Sequence, residues 1–177
     1  VVGNLNETLV NLNHVINIQN EMQVSIELIP LTDVINKNIQ NLKQQIQKRK
    51  ITMINNIPDY VLVPHNQAYL ESIVLNLASN AVRYSDPLKS PVIEFSGYAQ
   101  DGYYVLCVKD NGVGIDMERN KDKLFGMYQT FHGNADAKGY GLFITKNQIE
   151  ALDGKIEVES ELNVGTTFKV YFQIQNT

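Results

Sequence analysis

The run Asp110-Asn111-Gly112-Val113-Gly114-Ile115 constrains this chain more than any other stretch. It follows Tyr104-Val105-Leu106-Cys107-Val108, an apolar run rich in strand-forming residues, so Asp110 stands at the end of a buried strand. Asn-Gly at such a place ordinarily turns a hairpin. A hairpin needs a second strand at once, and Ile115-Asp116-Met117-Glu118-Arg119-Asn120-Lys121 is too charged and irregular to be one. The glycines are therefore read as backbone that bends sharply or approaches a ligand closely. An ionised carboxylate at the end of a buried strand needs a donor, and the exocyclic amine of adenine would supply it.

Upstream, the spacing of Leu70, Ile73, Val74, Leu77 and Ala81 predicts a helix over about 66–84 with these residues on its buried side. Asn76, Asn80 and Arg83 fall on a separate stripe at i, i+4 and i+7, with Tyr84 at its edge. Asn competes for the backbone and is a poor helix former, so two on one face beside an Arg suggest a task. An Asn carbonyl oxygen is a neutral hard ligand, suited to a magnesium ion that keeps phosphates and waters as its other ligands. Downstream, Gly139-Tyr140-Gly141-Leu142 opens a helix directly after an irregular stretch, where free N–H groups and the helix dipole favour phosphate. Lys138 adds a charge for a terminal phosphate. A P-loop with Lys-Ser/Thr after its glycines is absent. Taken singly these pieces are a polar stripe, a turn and a helix start; together they outline a nucleotide pocket.

The rest of the chain supplies a frame for that pocket. Val2, Leu5, Leu9, Leu12 and Ile16 recur at steps of three and four on a helix ending near Asn20. That helix is either an amphipathic element of its own domain or the stub of a dimerising hairpin. Residues 24–28 alternate like a strand, Pro30 and Thr32 open a polar helix to about Lys48, and 51–54 and 60–63 read as strands. After a loop bounded by Pro87 and Pro91, residues 92–99 and 103–109 form a hairpin turning at Asp101-Gly102. A short helix is expected near 121–125 and a longer one over about 140–152, ended by Asp153-Gly154. Strands at 155–160 and 166–174 follow, joined by a turn holding Asn163 and Gly165. Interleaved strands and helices with several hairpins predict an α+β fold, a mixed sheet of about five strands with helices on one face, preceded by a helix.

A chain of 177 residues holds one sizeable core, or one domain with an appendage. Its net charge of −4 gives no reason to expect nucleic acid, and no run approaches a membrane span, so direct membrane contact is not expected. Cys107 is the only cysteine and forms no internal disulfide, which fits a reducing compartment. His14, His65 and His132 lack ligand spacing, so zinc is not expected. The chain begins at Val1 without an initiator methionine or signal peptide, and is read as a piece of something longer.

Asn76-Leu77-Ala78-Ser79-Asn80-Ala81-Val82-Arg83-Tyr84-Ser85 resembles the N box of sensor histidine kinases. Residues 110–115 resemble their first glycine box, Leu124-Phe125 their F box, and 139–142 their second glycine box. The tail Asp153-Gly154-Lys155-Ile156 through Gly165-Thr166-Thr167-Phe168 keeps the same order and spacing. Four ordered motifs are far more specific than any one of them.

The resemblance covers essentially the whole chain. It implies the Bergerat-type two-layer α/β sandwich over 21–177, with 1–20 as the end of the dimerisation hairpin. It implies ATP and magnesium as ligands, with Asn80 on the metal and Asn76 organising metal and phosphates. Arg83 would face phosphate, Tyr84 would flank the base, and Asp110 would bind the adenine amine with Thr166 supporting it. Gly112, Gly114, Gly139 and Gly141 would shape the pocket and its lid at 126–138, and Lys138, Tyr140 and Leu142 would complete the nucleotide set.

Its partners would be the phosphoacceptor histidine domain of the same kinase dimer and a response-regulator receiver domain, in the cytoplasm or on the cytoplasmic side of a membrane-anchored parent. The sequence departs from the pattern at Ala137, where glycine is usual, at Tyr140, where leucine is usual, and after Phe125, where proline is usual. The phosphoacceptor motif itself is missing, and Leu12-Asn13-His14-Val15-Ile16 does not match it. Two other readings stay open. One is a gyrase-like ATP hydrolase, which would carry a glutamate base where Asn76 stands. The other is a catalytically silent nucleotide-sensing or dimerisation module.

Overall fold

In the computed structural model, residues 25–120, 123–126 and 140–174 are described. Their elements run β1 (Glu27–Pro30), α1 (Leu31–Asn41), α2 (Lys43–Arg49), β2 (Thr52–Asn55), β3 (Leu62–His65), α3 (Gln67–Arg83), β4 (Val92–Gln100) and β5 (Tyr103–Asp110). There follow α4 (Met117–Asn120), α5 (Gly141–Glu150), β6 (Lys155–Glu161) and β7 (Gly165–Gln173).

Alternation along the strands sorts side chains to two faces of a five-stranded sheet ordered β2-β4-β5-β7-β6. β2 runs parallel to β4 and the other pairs are antiparallel, so the sheet is mixed. Ile93, Phe95, Leu106, Val108, Phe168, Val170 and Phe172 are buried on the inner face, where α3 lays Leu70, Ile73, Val74, Leu77 and Ala81 against them. α1 packs on one side of α3 and α5 on the other, giving one helical layer on one sheet face. Asp101 and Gly102 both have positive φ (49° and 81°), the twist a two-residue hairpin requires. Asn66 caps α3, its Oδ1 accepting from the Tyr69 N–H at 3.1 Å. No helix among the described residues is long and apolar enough to cross a membrane.

Several boundaries differ from the sequence expectation, each for a local reason. The polar helix of 30–48 is two helices, broken at Leu42 (φ −93°, ψ 3°), which is buried although α2 buries nothing. The break keeps Leu42 in the core while the chain turns away. β1 and β3 each lie about two residues later than their composition suggests. They pair with each other in a separate ribbon, Glu27 opposite His65, and that register fixes their ends. The short helix comes at Met117–Asn120, where the Asp116 carboxylate accepts from the Arg119 N–H, and Leu124-Phe125 sits in a following turn. The helix expected over 1–20 lies outside the described residues.

His65 ends β3 with only 2% exposure, edge-on to the Phe172 ring at 5.3 Å between centroids. Burial lowers its pKa below the ordinary 6.5, opposed by the Asn66 carbonyl. The unfolded chain therefore takes up this proton before the folded one does. The stability due to a neutral His65 is complete above 6.5 and is lost as pH falls from there toward the folded pKa. Thermal melts of the wild-type chain should show this loss on mild acidification, and His65→Gln should flatten the profile in that window. Parallel profiles for the two proteins would contradict it.

Candidate functional site

Asp110 is the last residue of β5 and shares the inward parity of Leu106 and Val108, so its carboxylate turns toward the helical layer. The Gly112 N–H donates to its Oδ1 at 2.8 Å, and the Thr166 N–H donates as well from the facing position on β7. Burial raises the Asp110 pKa above the ordinary carboxylate value, and the two N–H groups and then the charge of Lys89 oppose the rise without cancelling it. The result is a half-buried carboxyl held by backbone donors, with acceptor capacity to spare.

Opposite it, Thr166 is buried and its Oγ1 lies 2.8 Å from the Ser160 Oγ, which itself donates to the Gly165 carbonyl. Ser160 also accepts the Ile115 N–H at 2.8 Å. One hydroxyl thus ties the end of the 110–115 loop to the β6–β7 turn and fixes the Thr166 rotamer. The two backbones run so close that glycine is required at both crossings. A Cβ on Gly114 (φ 69°) would collide with the Glu161 carbonyl, and one on Gly165 (φ 147°) with the Asp110 carbonyl.

α3 reaches both sides of this assembly. At its C-cap, the Tyr84 carbonyl accepts the Val113 N–H at 3.0 Å, so the helix end is fastened to the glycine loop. Two turns earlier, the Asn76 amide donates to the Gly141 carbonyl at 2.5 Å and to the Thr145 Oγ1 at 2.8 Å, which fixes the start of α5. Asn80 and Arg83 lie between these anchors, half-buried, and among the described residues neither side chain forms a hydrogen bond or ion pair. No cluster of three acidic, His or Cys residues able to hold a metal occurs among the described residues. Tyr140 is the N-cap of α5, and Gly141 and Leu142 form its first turn. Leu124 is buried in the core and Phe125 lies under the Lys146 ammonium, 5.9 Å from the ring centroid.

Of the residues singled out in the sequence, Asn76, Asn80, Arg83, Tyr84, Asp110, Gly112, Gly114, Gly141, Leu142 and Thr166 thus fall along α3 and the elements fastened to its two ends. Lys138, Gly139 and the lid segment 127–138 lie outside the described residues. Three contributors were not foreseen. Ser160 carries no sequence signal. Asn111 looked like a turn residue, yet its Oδ1 accepts the Val92 N–H at 2.8 Å and its Nδ2 donates to the Ser90 carbonyl at 2.9 Å. Lys89, in the loop between Pro87 and Pro91, sets its partly exposed ammonium among backbone carbonyls of both the glycine loop and the β6–β7 turn.

Residues 65–176, which contain every part of this arrangement, match the family described as histidine kinase-, DNA gyrase B- and HSP90-like ATPase. The chain belongs to this family. Within it, the chain is of the sensor histidine kinase catalytic-domain type. It is 34% identical over 145 residues to the phytochrome-like protein Cph1 of Synechocystis, an alignment covering 80% of this chain and 18% of that protein. It is 32% identical over 159 residues to the sensor protein BceS of Bacillus subtilis, covering 88% of this chain and 46% of that one. The structure of the Acinetobacter baumannii histidine kinase AdeS superposes with a TM-score of 0.81 at 20% identity, covering 99% of this chain and 81% of that one, and so shares the fold. The chain spans less than half the length of the two curated relatives.

The Asn76–Gly141 contact generates a prediction about this ATPase fold. A Cβ on Gly141 would strike the Asn76 amide, which two hydrogen bonds hold in place. Gly141→Ala should destabilise the domain by about 1–3 kcal/mol through this overpacking. In an Asn76→Ala background the same change should cost much less, because the obstructing amide is gone. Equal costs in both backgrounds, measured by urea unfolding, would show that the contact is not what restricts position 141.

Proposed function

We propose that this chain binds Mg-ATP and, within a longer sensor histidine kinase, delivers its γ-phosphoryl group to a histidine on a dimerisation domain, for later transfer to an aspartate on a response-regulator receiver domain. The observation that carries the reading is the Asp110 carboxylate, inward-facing and held by the Gly112 and Thr166 N–H groups. The adenine amine donates to its remaining lone pairs, with the fixed Thr166 hydroxyl beside the base and Tyr84 at its flank. Gly112 and Gly114 keep the wall free of side chains. The phosphates extend along α3 toward the start of α5, where Tyr140 is the N-cap and Gly141 and Leu142 lie at the positive end of the helix dipole. Lys138 and Gly139 join them in this reading, and Arg83 faces the phosphate charge.

The donor set fits magnesium. Asn80 offers an amide oxygen unengaged among the described residues, and with no acidic cluster among those residues the other ligands would be phosphate oxygens and water. Once bound, the ion neutralises charge on the β- and γ-phosphates. Asn76 keeps α5 in place and so organises the phosphate end.

In the transfer, the bond from the γ-phosphorus to the bridging oxygen breaks, a nitrogen–phosphorus bond forms on the acceptor histidine, and ADP leaves. Such chemistry relies on positioning and charge neutralisation, so no nucleophile is needed in this domain. An amide at Asn76 cannot take a proton from water near neutral pH, which disfavours the gyrase-like hydrolase. The reading places this domain in the cytoplasm, whether or not its parent is membrane-anchored.

Titration with ATP, with magnesium or with a chelator, tests the binding half. Asp110→Asn keeps the shape but loses a charge-assisted acceptor worth roughly 1.5–3 kcal/mol, so affinity should fall about ten- to a hundredfold. Asn80→Ala should erase most of the difference between the magnesium and chelator titrations, and Asn76→Ala less of it. Unaltered titrations would remove these residues from the site, and a wild-type chain indifferent to magnesium would favour the silent module.

Incubation with γ-labelled ATP tests the transfer half. The 177-residue chain alone should acquire no acid-labile phosphate, whereas an added dimerisation hairpin of the parent should be labelled, slowly for want of a tether. Acid-labile label on His14 would overturn the division of roles.

A further inference from the structure

The side chain of Lys89 comes from a five-residue loop segment bounded by prolines and ends against four carbonyl oxygens. Its Nζ lies 3.0 Å from Asn111 O, 3.0 Å from Gly112 O, 2.6 Å from Asn163 O and 3.4 Å from Val164 O. The Asp86 carboxylate is more distant, at 3.9 Å. Two of the carbonyls belong to the glycine loop and two to the β6–β7 turn, segments some fifty residues apart in the chain. An ammonium offers three donors and no acceptor, so a cluster of carbonyls is a matched environment for it. The same cluster would suit a potassium or ammonium ion, since rings of backbone carbonyls replace the hydration shell of such cations.

The carbonyls that meet Lys89 belong to peptide units directly linked to the Asp110 site. Asn111 O and Gly112 O flank the Gly112 N–H that holds Asp110, and Asn163 N donates to Val113 O at 2.8 Å across the same seam. Without a cation, four carbonyl dipoles would converge with nothing between them, and the loop and turn would move apart.

We propose that Lys89 is a positioning residue for nucleotide binding, its ammonium serving as a built-in monovalent cation that clamps the glycine loop to the β6–β7 turn and so presents Asp110 and Thr166 together. The proposal rests on the reading of Asp110 and Thr166 as the adenine side of the site. Lys89 itself touches no nucleotide in it.

The test uses the full chain in choline chloride at fixed ionic strength, with Lys89→Met, which keeps the stem and loses the charge, and Lys89→Ala, which opens the cage. Both variants should bind Mg-ATP about tenfold more weakly than wild type. Replacing choline by ammonium or potassium should restore affinity to Lys89→Ala, leave Lys89→Met weak and leave wild type unchanged. Wild-type affinity in Lys89→Met, or no recovery of Lys89→Ala in either cation, overturns the proposal.

Thermal melting keeps the two readings separate. If wild type itself fails to bind ATP, the nucleotide assignment falls, and the cage is judged by whether ammonium or potassium raises the melting midpoint of Lys89→Ala but not of wild type. A Lys89→Met chain that lacks the near-UV circular dichroism of the folded protein also overturns the proposal, because the clamp acts on two loops and not on the core.

Discussion

Two backbones pass each other at van der Waals contact where the loop after β5 meets the turn between β6 and β7, and the functional end of the molecule depends on that approach. Gly114 and Gly165 permit it, the Asn163 N–H and the Ser160 hydroxyl bond across it, and the Lys89 ammonium closes it from the side. Only with the two segments in register can Asp110 and Thr166 face the helical layer from neighbouring strands. Burial alone would favour a protonated Asp110, and the N–H donors arriving from this seam are what oppose that tendency.

α3 carries the geometry from one end of the site to the other. Its apolar side is sunk into the sheet, its C-cap carbonyl is hooked by the glycine loop, and Asn76 reaches across to α5. α5 is held less comfortably. Gln148, three residues beyond Thr145, is fully buried, and neither its nitrogen nor its oxygen has a partner among the described residues. An unmet buried amide costs on the order of 1–3 kcal/mol. α5 is thus anchored chiefly by the two hydrogen bonds of Asn76 near its start and by Ile144 and Ile149 along its length.

What the sequence disclosed, and what it did not, follows from the range of the forces involved. The 92–110 hairpin, α3 and the strand end at Asp110 rest on period-two or period-three-to-four patterns and on turn residues, all encoded within a few positions. The ribbon of β1 and β3 was displaced from its apparent ends because residues far apart in sequence set its register. The break at Leu42 carries no Gly or Pro and reflects the demand of the core for one leucine. Lys89 was wholly invisible, since its partners are main-chain carbonyls, which carry no residue signature, contributed by two segments some fifty residues apart in the chain. The stripe of Asn76, Asn80 and Arg83 could be read as a face of α3, but the engagement of Asn76 with Gly141 and Thr145 required the packing of a second helix.

The outer strands of the five-stranded sheet bear on how copies of this domain can meet. β6 forms one border, and its outward positions are Lys155, Glu157, Glu159 and Glu161, each charged. β2 forms the other border and is only four residues long. A charged border and a very short one both discourage the addition of a foreign strand. Continuous β-pairing through this sheet is therefore unfavourable, and any association of two copies of the described domain is left to the β1–β3 ribbon, the helices and the loops.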